Sequence, residues 1–147
     1  MKRTRNERGT ALIETAITIP IILLVCVGIF EFGRAYQTWE VLTNAAREGA
    51  RVAIIAGSSD GDVSGRVQQY LQDGGVLRQG QPLASVGGSV VINRTVALTA
   101  SSTASQVEVD LPFQFMVLNP VVRLVNPSDT KTGAPITMVA RAVMRNE

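Results

Sequence analysis

Residues Thr10–Phe30 read TALIETAITIPIILLVCVGIF, and the fold follows from how this run is taken. Its 21 residues hold one ionisable side chain, Glu14. At about 1.5 Å of rise per residue, a helix of this length matches a hydrocarbon core of roughly 30 Å. Lys2, Arg3, Arg5 and Arg8 lie just upstream, while Arg34 alone follows closely downstream. That asymmetry predicts a cytoplasmic N-terminus and an external C-terminal part. A cleaved secretory signal would end its apolar region in small residues resembling Ala-x-Ala. Here Glu31-Phe32-Gly33-Arg34-Ala35-Tyr36 follows, a poor cleavage site, so a retained single-pass anchor is the preferred reading. Cys26 lies within the run and reads as a small apolar filler.

The helix does not stop at the membrane. No proline occurs in EFGRAYQTWEVLTNAAREGARVAIIAG, and Phe32, Tyr36, Trp39, Thr43, Ala46, Ala50 and Ala53 recur at three- and four-residue steps. Arg34, Gln37, Asn44, Arg47, Glu48 and Arg51 fall between them, which predicts an amphipathic continuation with the aromatic row, Trp39 included, facing the core. Gly57 and the polar residues after it give a stop signal. The expectation is one helix over 11–56, loosened or kinked at Pro20.

Composition narrows the chemistry. The 147 residues include no histidine and one cysteine, which excludes His-based acid–base catalysis, Ser-His-Asp and Cys-His pairs, Cys/His zinc sites and any intrachain disulfide. Four of the 14 basic residues precede residue 10, and the remainder carries more acidic than basic groups, so no nucleic-acid surface is implied. Neither enzymatic activity, nor a cofactor, nor a metal is expected. Asp60-Gly61-Asp62 lacks the loop and terminal Glu of a calcium site and reads as a turn and helix cap.

Residues 57–147 read as a small α+β unit. Val63, Val67, Tyr70 and Leu71 lie on one side of a short helix over 62–72, ended by Gly74-Gly75. Three period-2 segments follow, over 90–98, 107–115 and 136–144. Pro112 argues for an edge position of the second. Loops are expected at 101–105 and 127–133. An antiparallel meander could lay its apolar face over the amphipathic half of the long helix.

Glu14 is the costly residue. An ionised carboxylate near the bilayer centre costs roughly 2.5 kcal/mol or more on insertion scales. It could sit near the cytoplasmic interface, or a cation could meet it. Glu14 is the fifth residue after Gly9. Cleavage after Gly9 would remove the basic leader and give Thr10 a free ammonium able to pair with Glu14 of an adjacent subunit. Two costly charges would then neutralise each other and set axial register.

Basic leader, Gly9, Glu14 and apolar helix together resemble a type IV prepilin signal. The G-x-x-x-x-E element joined to E-x-A-x-x-x-P, F-x-x-G-R and A-A-R-E-G-A-R is similar to the TadE-like family, pseudopilins or minor pilins of the tight-adherence (Flp) pilus; ITMVARAVMRNE at the end of the chain also resembles it. The resemblance implies a pilin-like α+β fold with leader 1–9, transmembrane helix 10–30, amphipathic continuation 31–56 and external domain 57–147. It implies processing by a prepilin peptidase between Gly9 and Thr10, with Glu14 as the subunit-assembly carboxylate. Implied partners are the peptidase, other pilins or pseudopilins, the pilus assembly platform and lipid of the bacterial inner membrane. Thr15 stands where major Flp pilins usually carry tyrosine, which favours a minor or pseudopilin role. The competing expectation is an unprocessed, single-pass membrane-anchored binding module, periplasmic or extracellular.

Overall fold

A computed structural model describes residues 7–99, 102–117, 119–120 and 134–146. Most of the basic leader and the loop expected over 127–133 lie outside these residues. The architecture is α+β: helix α1 (Glu7–Ala53), helix α2 (Asp60–Asp73), a short 3-10 turn (Leu83–Val86) and strands β1 (Ser89–Thr99), β2 (Ser102–Phe113) and β3 (Ile136–Arg145). The strands form one antiparallel sheet in the order β1-β2-β3.

Helix α1 has 47 residues and runs through Pro20 without interruption, a length of about 70 Å at the standard rise. It ends three residues before the expected 56, in turns that close on Gly57, whose φ of +85° suits glycine. Among the described residues, its apolar N-terminal half holds no buried side chain, and it is long and apolar enough to cross a membrane. Its C-terminal half supplies one wall of the core. Leu42, Ala45, Ala46, Ala50 and Ala53 pack with Val63, Val67 and Leu71 of α2 and with Val107, Val109 and Leu111 of β2. Leu77, Leu83 and, on the alternating face of β3 that the sequence marks, Ala140 and Ala142 complete the cluster.

Small residues on α1 set the interhelix spacing. A Cβ placed on Gly49 would come 2.6 Å from Cγ2 of Val67 and 3.2 Å from Cγ1 of Val107. Alanines flank this glycine on the buried face, so α1 approaches both α2 and β2 closely there. Helix α2 starts with a reciprocal cap. The Ser59 hydroxyl accepts from the Asp62 N–H, and the Asp62 carboxylate accepts from the Ser59 N–H at 2.8 Å. The cap reading of this acidic stretch is thereby borne out.

Four expectations are corrected. The aromatic row is not core: Phe32 and Tyr36 are exposed and Trp39 is 48% exposed, its ring tilted against Tyr36 rather than under the sheet. The buried stripe lies further round the helix because alanines and Gly49, not the large rings, fit the close approach. Residues 102–105 are not loop but the start of β2, where Ala104 and Ser105 are buried and paired with Arg145 and Met144. The second strand also ends at Phe113, before the expected 115. Finally, Pro112 belongs to the central strand. The β1 ladder stops at Ser89↔Asp110, so Pro112 has a strand neighbour only on the β3 side, at Thr137. Its missing N–H is tolerated because β2 is locally an edge there.

Candidate functional site

The residues expected to carry processing and assembly stand in the first two turns of α1. Gly9 and Thr10 are helical, and a Cβ on Gly9 would meet nothing within 4 Å. Glu14 is exposed on the apolar half, and its carboxylate enters no ion pair among the described residues. Its backbone carbonyl accepts from the Thr18 hydroxyl at 2.7 Å, as Ala11's does from Thr15 at 2.8 Å. Both polar side chains thus satisfy themselves on the helix, so the run's hydroxyls cost little in an apolar medium. The side chains around Glu14, Leu12, Ile13 and Ile17, are exposed and apolar. Cys26 is exposed on the same helix.

A second carboxylate, overlooked in the sequence, lies at the opposite end of the apolar run. Glu31 is fully buried. One of its oxygens accepts from the Val117 N–H at 2.7 Å, and the other accepts from Arg34 Nη2 at 3.0 Å. Arg34 Nη2 also donates to the Gln114 carbonyl at 2.6 Å, and its guanidinium lies 4.5 Å from the centre of the Phe113 ring. Burial pushes the Glu31 carboxyl upward, but the Val117 N–H, Arg34 and the Met116 N–H outweigh it and hold the group below the usual carboxylate range. The detectable signal was an acid immediately after an apolar run and three residues before an arginine, the spacing of a helical ion pair.

A third cluster ties α1 to α2. Glu48 accepts from Arg51 at 2.7 Å and from Arg66 of α2 at 2.8 Å. Arg51 and then Arg66 are the main causes that hold its carboxyl down to about 2. Arg47, one of the polar positions between the apolar ones, is exposed. At the far end of α1, Arg94 of β1 donates to the Ala53 carbonyl at 2.7 Å and to Asp60 Oδ1 at 2.9 Å. A cation there satisfies a helix-terminal carbonyl and complements the helix dipole. No group of three or more metal-ligating side chains occurs among the described residues.

The model of the TadE-like protein family matches residues 9–51. Over that segment the chain is similar to the TadE-like family. The match begins at Gly9, takes in Glu14 and Glu31, and closes at Arg51, the partner of Glu48. It spans the apolar half of α1 and nearly all the part that forms the core, whereas α2 and the sheet lie beyond it. Neither the curated proteins nor the solved structures include a match to this chain. Within the TadE-like segment the A-A-R-E-G-A-R run has a physical meaning. Ala45, Ala46, Gly49 and Ala50 let α2 and β2 approach, and Glu48 joins two arginines across the helix pair.

Proposed function

We propose that this chain is a structural subunit of a tight-adherence (Flp) type IV pilus system, a minor pilin or pseudopilin without enzymatic activity. A prepilin peptidase removes the leader between Gly9 and Thr10. The new Thr10 ammonium then meets Glu14 of a neighbouring pilin or pseudopilin at the assembly platform, in the bacterial inner membrane. The N-terminus starts in the cytoplasm and the α+β part lies outside.

One observation carries this reading: in a TadE-like segment, an exposed carboxylate stands on an exposed apolar helix five residues after a glycine. A charge so placed opposes insertion by roughly 2.5 kcal/mol or more, and a pairing ammonium relieves that cost. The positive cluster ahead of the run supports the orientation.

N-terminal sequencing of the mature protein from its native cell should begin at Thr10; an intact Met1 would instead identify an unprocessed anchored binding module. Because a Cβ on Gly9 meets nothing, Gly9→Ala leaves the helix undisturbed and isolates the processing step. Co-expressed with the peptidase, this variant should show no leader-loss mobility shift. Glu14→Ala should still be cleaved yet support little or no piliation, and normal piliation would remove the role given to the carboxylate.

A further inference from the structure

The polar contacts of Glu31 fix more than one side chain. They pin the segment after β2 to the first turn of α1 beyond the apolar run: Val117 to Glu31, and Gln114 to Arg34. The Phe115 ring meets Phe32 edge-on at 6.0 Å between centres, and Phe113 meets Phe115 at 5.3 Å. Residues 114–117 are therefore held at the level of helix residues 31–34. This level is the point where the helix leaves the apolar run ending at Phe30.

The outward side of this junction is apolar. Phe32 is 65% exposed, Tyr36 65%, Met116 66% and Val117 40%. Ile29 and Phe30, at the end of the apolar run, are exposed as well. Among the described residues, the two charged groups of this turn are engaged within the fold: Glu31 is fully buried, and Arg34 binds it, a carbonyl and a ring.

We propose that the 114–117 segment, with Phe32 and Tyr36 beside it, is a membrane-docking face that rests in the outer interface of the bilayer. The inference builds on the anchored reading of residues 10–30. If Phe30 closes the hydrocarbon span, helix residues 31–34 and the segment they hold lie about 1.5–6 Å past the boundary along the helix, at 1.5 Å per residue. The headgroup zone is about 5–7 Å thick on each side, so the 114–117 segment has no room to stand clear of it. Apolar and tyrosine side chains suit this zone, where one end of a ring is greasy and the other wet. The buried Glu31 pair keeps the helix's exit charge away from lipid. The external part is thus seated flush on the membrane rather than tethered above it.

The test uses the full chain in nanodiscs of phosphatidylcholine and phosphatidylglycerol, with an environment-sensitive fluorophore on one cysteine at a time. The native Cys26 reports the span. Met116→Cys and Ala56→Cys, each combined with Cys26→Ala, report the proposed face and the far end of α1. Lipids carrying a spin label at a shallow or deep acyl position and aqueous iodide serve as quenchers. The Cys26 probe should be quenched by the deep label and not by iodide, and the Ala56→Cys probe by iodide alone. At Met116→Cys the shallow label should quench about twofold more strongly than the deep one, as for a group at the interface. Iodide-only quenching at Met116→Cys with a deep Cys26 would overturn the docking face while leaving the anchor standing. Shielding of Met116→Cys from lipid and iodide alike would show a protein partner in place of lipid and also overturn it. A Cys26 probe open to iodide would overturn the anchored reading itself, and the docking face with it.

Discussion

Glu14 lies near the start of the apolar run and Glu31 just past its end, and the fold treats them in opposite ways. Glu31 is given an N–H, a guanidinium and full burial within its own chain. Glu14 is left exposed, which is why an intermolecular partner is proposed for it alone. Gly49 is a third residue whose identity the packing explains. Gly→Ala within a helix gains up to about 1 kcal/mol of propensity. Against this, the new methyl would lie 2.6 Å from the Val67 side chain, and β-branched valine has little rotamer freedom to withdraw. Overpacking of this kind costs about 1–3 kcal/mol and wins. Gly49→Ala should therefore lower the thermal midpoint of the full chain in detergent. In a Val67→Ala background the same substitution should cost less than in the wild type, and an equal cost would show that the strain lies elsewhere.

At the scale of elements, α1 and α2 are joined by apolar packing and by the Glu48 bridge. With its carboxyl held down to about 2 against an ordinary value near 4.5, Glu48 binds its proton more readily in the unfolded chain. Its stabilisation is complete above the ordinary carboxylate range and disappears as pH falls towards 2. Glu48→Gln should cost about 1.5–3 kcal/mol at neutral pH, the range for hydrogen bonds to charged groups. The gap in unfolding midpoint between wild type and variant should close as pH drops from 4.5 to 2; a constant gap would discount the charge. Sequence periodicity revealed α1, α2 and all three strands, because each buries an alternating or helical stripe. It failed where packing distance, not polarity, selects the buried face: Phe32, Tyr36 and Trp39 looked like core, but alanines and Gly49 occupy it. Pro112 failed for a related reason, since a strand can be central along most of its length and an edge at its end. Of the candidate site, Gly9, Thr10 and Glu14 stand out by local spacing. Glu31 shows only its three-residue spacing to Arg34, because its other partner, the Val117 N–H, lies eighty-six positions away.

For the whole molecule, the long helix is both anchor and core, and the two uses divide at Glu31. Among the described residues, none of 10–30 belongs to the buried core, whereas residues 42–53 line the same cluster as α2 and the sheet. Sequence composition alone invites a boundary at residue 57, after the helix. A chain starting there would lose Leu42, Ala45, Ala46, Gly49, Ala50 and Ala53, and would expose Val63, Val67, Leu71, Val107 and Val109 together. Each such large aliphatic side chain returned to water forfeits about 1.5–3 kcal/mol, and a small domain is only about 5–15 kcal/mol stable in all. A 57–147 fragment should accordingly show no cooperative unfolding transition and should bind a hydrophobic dye. A 31–147 fragment retains the helix wall, the Glu48 bridge and the Glu31 lock, and should melt cooperatively with dispersed amide resonances. Equal behaviour of the two fragments would mean that α1 is not part of the core. Cooperative folding of 31–147 alone would locate the mechanical joint of the molecule at the membrane exit, where Glu31 holds the 114–117 segment against the helix.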